Sequence, residues 1–177
     1  MRGYGESKLM WGITVVVLLW FVEPIGAIPL ESWDSKIPNA GTRFKVLSEF
    51  NGEAVLDKET QLVWEQAPSI ATSNWVQAHF DCANKSVSNR KGWRLPSMPE
   101  LTSLADTSVV FPGPTLPPGH PFLNVQGSSL SIYWSASTVP GVLDVAWGVQ
   151  MGSGFANIYG KLDAWYVWCV RGGMNAD

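Results

Sequence analysis

Charge is scarce in this chain, and so are histidine and cysteine. Only 15% of the 177 residues are Asp, Glu, Lys or Arg, and the formal net charge is -3, so no broad basic surface exists to recruit phosphate backbones. Nucleic acid is therefore not expected as a partner. Two histidines and two cysteines, with no CxxC or HxxxH spacing, leave too few soft ligands for a zinc-type centre, and no metal is expected. The chain has no internal repeats, and one biased segment, "FPGPTLPPGHPF", stands out. Its prolines at 112, 114, 117, 118 and 121 exclude regular helix and central strand. That stretch is expected to run over the surface.

What is abundant is apolar and aromatic: hydrophobic residues make up 46% and tryptophan occurs 10 times, ample for one packed core and unlike a disordered composition. The first residues read differently from the rest. Arg2 and Lys8 precede the uninterrupted apolar run Trp11–Val22, and small residues lead to Ala27. This three-part layout is that of a secretory signal peptide over residues 1–27, with the mature protein starting near Ile28. The run is shorter than the roughly 20 residues that span a bilayer as a helix, so a retained anchor is the lesser reading and no stable membrane span is expected after processing. The expected location is periplasmic or secreted. In an oxidising compartment two cysteines, an even number, are expected to form a Cys82–Cys169 disulfide.

Along the mature chain, "RFKVL" and "EAVL" read as strands, "DKETQ" as a turn and "LVWEQ" as the return strand of a hairpin. "SNWVQAHFDCAN" has helical spacing that turns Cys82 inward, with Ser73 or Asn74 as the N-cap. Ser97 opens a second helix: Ser-x-x-Glu spacing to Glu100 is a capping box, and Leu101 and Leu104 supply the buried stripe. After the proline segment, "YWSAST", "VAWGVQM", "FANIYG" and "WYVWCVRG" read as strands, with a Gly-Ser-Gly turn at 152–154, with Trp147, Val149 and Met151 on one face and with Cys169 in the closing strand.

The segments "LDKETQLVWEQ", "GWRLPSMPELTSL", "HPFLNV", "YWSAST", "AWGVQM" and "VWCVRGG" follow one another in the order expected of the Lcl C-terminal domain family, a bacterial domain catalogued as of unknown function, which this chain resembles over residues 43–173. The resemblance implies an α+β, C-type-lectin-like fold: two helices packed on antiparallel sheets, chain ends paired in one sheet, and a long irregular loop region carrying a second small sheet. Residues 28–42 are then a linker and 174–177 a tail. The family's hairpin usually places glycine where Gln61 stands, a departure at a position where glycine accepts a left-handed backbone cheaply.

In "GWRLPSMPEL", Trp93 and Leu95 are expected to be buried, Pro96 to end the extended segment, and Arg94 to pair with a carboxylate such as Glu100 instead of binding an anionic ligand. Arg171 is expected to form a partly buried ion pair. Trp93, Arg94, Pro96, Ser97, Glu100 and Arg171 are thus read as structural. His79 and Asp81 lie two apart on a helix and cannot meet, His120 has no nucleophile beside it, and Ser135 and Ser137 lack a nucleophile elbow. "MGSGF" reads as a hairpin turn, not a phosphate loop. The Glu-Pro-Asn, Gln-Pro-Asp and Trp-Asn-Asp segments of calcium-dependent lectins are absent, and the cysteines are committed to a bridge, unlike those of formylglycine-generating enzymes. No catalytic residue, cofactor or enzymatic activity is expected. Ligand contact is expected between Tyr133 and Trp165, from Tyr133, Asn157, Tyr159, Asp163 and Trp165, whose rings and polar groups suit a sugar. The function expected is an exported recognition module for a glycan or an envelope or extracellular protein. A structural or assembly role in the bacterial envelope is the alternative.

Overall fold

A computed structural model describes residues 39–172, and every structural statement below refers to them. The leader expected over 1–27, most of the expected linker and the expected tail lie outside the described residues. The fold is mixed α+β, mostly sheet, with three short helices.

One sheet has four strands: β1 (Phe44–Val46), β2 (Ala54–Asp57), β3 (Leu62–Glu65) and β9 (Val170–Arg171), in the order β1-β2-β3-β9, all antiparallel. The other has five: β4 (Thr72–Ser73), β5 (Ile132–Val139), β6 (Val142–Gln150), β7 (Phe155–Gly160) and β8 (Trp165–Tyr166), in the order β4-β8-β5-β6-β7. This second sheet is the larger one, contrary to the small sheet expected. It is also not wholly antiparallel, since β5 and β8 run parallel where Tyr133 faces Tyr166. The helices are α1 (Ala40–Arg43), α2 (Trp75–Ala83) and α3 (Met98–Ser103), so one short helix precedes the two expected.

Local chemistry accounts for the elements. The β2–β3 turn is closed by Asp57, whose carboxylate accepts from Glu59 N–H at 3.1 Å and Thr60 Oγ1 at 3.0 Å. Gln61 takes the left-handed backbone that glycine would occupy, φ +58°, and its Nε2 donates to Lys58 O at 2.6 Å, a hydrogen bond that offsets the Cβ strain. Asn74 caps α2 through Gln77 N–H, and Ser97 and Glu100 form the full capping box on α3.

Two apolar clusters lie against the sheets. Trp64 and Trp168 meet at 5.5 Å and Phe122 packs on Trp168 at 4.9 Å in the first, with Leu101, Leu104, Tyr133 and Val149. Trp93, Trp134, Ala78 and the cystine centre the second. Trp64, Trp134 and Trp168 are fully buried, and truncating such a ring costs ~3–5 kcal/mol. Cys82 and Cys169 form the expected disulfide, S–S 2.06 Å, tying α2 to the segment between the sheets.

Three expectations need correction. "WYVWCVRG" is not one strand: β8 joins the five-stranded sheet and β9 the four-stranded one, because Val167, Trp168 and Cys169 between them are all buried and cross from one cluster to the other. Cys169 thus precedes β9 and still accepts from Glu65 N–H at 3.2 Å. The proline segment does not simply run over the surface, for Thr115, Leu116 and Phe122 are buried, with Thr115 N–H and Oγ1 both donating to Met151 O at 2.8 and 3.1 Å. Those bonds satisfy the polar groups that burial would otherwise orphan. Val149 in β6 and Met151 just past it are buried in the first cluster but Trp147 is only half-buried, while Ala146 and Gly148 on the other face are buried too, Ala146 in the second cluster.

Candidate functional site

Arg94 has a complete set of internal partners. Its backbone exchanges two hydrogen bonds with Val170, at 2.8 and 2.9 Å. Its guanidinium meets the Glu100 carboxylate through Nη1–Oε2 at 2.8 Å and Nη2–Oε1 at 2.6 Å, and Nη2 also donates to Gly172 O at 2.7 Å. Burial alone would raise the Glu100 pKa, but the bonds from Arg94 and from Ser97 N–H outweigh it and hold the carboxyl below its usual range. Trp93 is buried with Nε1 donating to Arg90 O at 2.8 Å, and the carbonyl of buried Pro96 accepts from Ala136 N–H at 2.7 Å. Arg171 differs from the expectation. It has no carboxylate partner among the described residues, and its guanidinium lies 5.9 Å from the Phe50 ring centre, an apolar and cation–π contact in place of an ion pair.

The five residues expected to touch ligand do not come together as a set. Tyr133 is fully buried; its hydroxyl accepts from Gln126 N–H at 2.7 Å, and burial pushes its phenol pKa up. It is a core residue, because β5 is flanked by both β6 and β8 and its side chain enters the first cluster. Tyr159 and Trp165 are half-buried and meet at 5.5 Å, with Tyr159 also 6.4 Å from Trp134, so these rings are rooted in the second cluster with one side outward. Gly148 makes this possible: a Cβ there would sit 3.0 Å from the Tyr159 ring. Asn157 and Asp163 are exposed, yet Asn157 Oδ1 accepts from Ile158 N–H at 2.8 Å and Asp163 Oδ2 from Gly160 N–H at 3.1 Å.

Around these rings stand Trp75, with the Lys161 ammonium 4.4 Å from its ring centre, and His79, whose ring is 4.3 Å from that of Trp75. Desolvation and then the nearby Lys161 charge lower the His79 pKa. Asp81 is held elsewhere, by Ser73 Oγ and Gln77 Nε2, both at 2.8 Å. The two imagined catalytic partners do not meet. Ser135 Oγ donates to Trp147 O inside the sheet. The β6–β7 hairpin and the turn after it present apolar side chains to water: Leu143 is 87% and Leu162 92% exposed. An open groove of about 430 Å³ lies beside α2, lined by Gln77, Phe80, Asp81 and Lys85 among others. No group of His, Cys, Asp and Glu that could hold a metal exists among the described residues, and no helix among them is long and apolar enough to cross a membrane.

Two ion pairs with buried carboxylates were not foreseen. Asp57 is fully buried and bonded to Arg43 through both oxygens, Nε–Oδ1 at 2.9 Å and Nη2–Oδ2 at 2.7 Å. Glu65 accepts from Lys85 Nζ at 2.6 Å and from Cys169 N–H at 2.8 Å, and desolvation raises its pKa despite Lys85. The available signal was a carboxylate ending each arm of an apolar hairpin, "AVLD" and "LVWE".

The family model of the Lcl C-terminal domain matches residues 53–171, and the chain belongs to that family. No curated protein matches the chain.

Proposed function

We propose that this Lcl C-terminal domain protein is an exported, non-catalytic recognition module with a C-type-lectin-like arrangement, receiving a glycan or a protein surface on the β6–β7 hairpin and the turn at 161–164. The observation that carries the reading is the pair Tyr159 and Trp165, anchored on the second cluster yet partly open, with exposed Asn157, Asp163, Leu143 and Leu162 around them. Side chains rooted in a rigid core lose little freedom on binding, and aromatic faces beside amide and carboxylate groups suit sugar C–H surfaces and hydroxyls. The disulfide and the leader-like start of the sequence support export.

The test is a glycan array probed with the exported chain, followed by titration of the strongest glycan against Tyr159→Ala, Asn157→Ala and Arg94→Ala, each first checked for folding. Loss of binding in the first two and retention in the third is expected. Binding lost only in a folded Arg94→Ala sinks the reading. The exposure of Leu143 and Leu162 also favours a protein partner, and with it the alternative of an assembly role in the envelope. Co-purification of one envelope protein, sensitive to Leu143→Ser and Leu162→Ser, with an empty array would select it.

A further inference from the structure

The two sheets have four edges among the described residues. β1 is three residues long and carries Lys45, β4 is two residues long, and β9, also two, has Arg94 bonded along it. β7 is six residues long and uncharged from Phe155 to Gly160, with Phe155 72% and Ile158 46% exposed. A long, uncharged, apolar edge is a template for pairing with another strand.

Two side chains already occupy that edge. Lys161 N–H donates to Asp144 O at 2.8 Å, one step beyond the Gly160–Val145 pair, so Lys161 and Asp144 form a hydrogen-bonded position of the ladder. Alternation along an antiparallel pair then directs the N–H and C=O of Tyr159 and Asn157 to β6, and those of Ala156, Ile158 and Gly160 outward. The outward N–H of Ile158 is taken by Asn157 Oδ1. That of Gly160 is taken by Asp163 Oδ2, while Asp163 N–H donates back to Gly160 O at 2.9 Å. A Cβ on Gly160 would sit 3.2 Å from that carboxylate oxygen, so glycine is what lets Asp163 close over the edge.

We propose that Asn157 and Asp163 are edge guards, whose side-chain oxygens cap the outward N–H groups of β7 and prevent it from pairing with β7 of a second copy of this chain. A second copy is the occupant the edge itself specifies. A two-fold axis normal to the sheet through Ile158 would set Ile158 opposite Ile158 of the copy and Ala156 opposite its Gly160, matching outward groups to outward groups with no charge buried, as an isologous contact requires. This role goes beyond the recognition reading, and ligand binding is not its readout.

The experiment compares the full exported chain with Asn157→Ala/Asp163→Ala and with Asn157→Asp/Asp163→Asn, which keeps an acceptor oxygen at both positions. Amide hydrogen exchange and light scattering are followed over a range of protein concentration. The wild type and the conservative variant are expected to be monomeric. In the alanine variant at low concentration, Ile158 and Gly160 amides should exchange roughly tenfold faster, the loss of one hydrogen bond each. At high concentration a dimer should appear in which the Ala156 amide becomes newly protected. Unchanged exchange at Ile158 and Gly160, a monomer at every concentration, a dimer without protection at Ala156, or a wild type already paired through β7 each overturns the proposal.

Discussion

The four-stranded sheet and the five-stranded sheet are held by different chemistry. The first carries the charges: Arg43 with Asp57, Lys85 with Glu65, and Arg94 along β9 with Glu100. Three of its four strands come from short-range hairpins, the β2–β3 turn closed by bonds to the Asp57 side chain. The second sheet is held by aromatic packing and indole bonds, Trp134 Nε1 to Ser73 O and Trp75 Nε1 to Ser135 O, and it ends in a hairpin whose β7 arm is uncharged and whose apolar side chains face water. Paired charges and capped ends have their partners within the chain and need no ligand. Half-buried rings and exposed apolar side chains on a rigid frame leave surface uncovered, which is why the proposed contact surface lies on the second sheet.

The largest effect should come from the link between the two. Cys82 and Cys169 are 87 residues apart in sequence and both fully buried. In the chain-entropy model closure of so long a loop contributes up to ~4–5 kcal/mol. Cys82→Ser/Cys169→Ser, followed by urea denaturation, is expected to lose a few kcal/mol, and amide exchange should rise first in α2 and in residues 167–171, where the two sheets hand over. A variant with an unchanged midpoint would mean that the sheets hold each other without the bridge.

How legible this was from sequence follows the same division. The β2–β3 hairpin, the capping box, the helix bearing Cys82 and the Arg94–Glu100 pair were readable because their causes lie within a few residues. The split of "WYVWCVRG" between two sheets was not, since its apolar run fits one strand equally well and only the burial of Val167, Trp168 and Cys169 breaks it. Tyr133 carries no local sign that distinguishes it from Tyr159. One is flanked by strands on both sides, the other lies on an edge strand. Phe122 and Leu116 fill the core from a proline-rich stretch whose composition speaks only against helix and strand.

Two glutamates of the first sheet and its flank sharpen the contrast through pH. Burial raises the Glu65 pKa above its ordinary 4.5, so the folded state binds that proton more tightly than the unfolded one, and the stability this confers is present below about pH 4.5 and is withdrawn as pH rises through the folded value. Glu100, lowered by Arg94 and Ser97, has the opposite sign: its contribution is present above about 4.5 and is lost as pH falls through its folded value. Urea midpoints measured from about pH 3 to pH 8 should therefore show Glu65→Gln gaining on the wild type as pH rises, and Glu100→Gln losing to it. A glutamine oxygen still accepts from Cys169 N–H, so the comparison isolates the cost of the buried charge. His79, whose lowered pKa costs stability as pH falls below 6.5, is common to all three proteins and cancels in the differences. Parallel profiles for the two variants would remove the distinction between a desolvated and a well-bonded carboxylate.

The smallest effect is expected at Arg94. Its side chain is 38% exposed, so solvent screens the pair with Glu100, although the bidentate geometry and the third bond to Gly172 O place it above an ordinary surface contact. Arg94→Ala should cost ~1 kcal/mol in urea denaturation, within the range for partly exposed ion pairs. It should also raise the Glu100 pKa, because Arg94 is the largest of the influences that lower it, and a carboxyl-carbon titration by NMR would follow that shift directly. Arg94→Lys should restore little of either quantity, since an ammonium cannot make the two parallel bonds of a guanidinium. Ser97 N–H remains on Glu100 Oε2 in each variant, so the α3 cap survives and the protein stays folded. If a folded Arg94→Ala kept its stability yet lost binding to the array glycan that the wild type holds, the charges of the first sheet would be the ligand's, and the separation between a self-satisfied sheet and a contact-making one would fail.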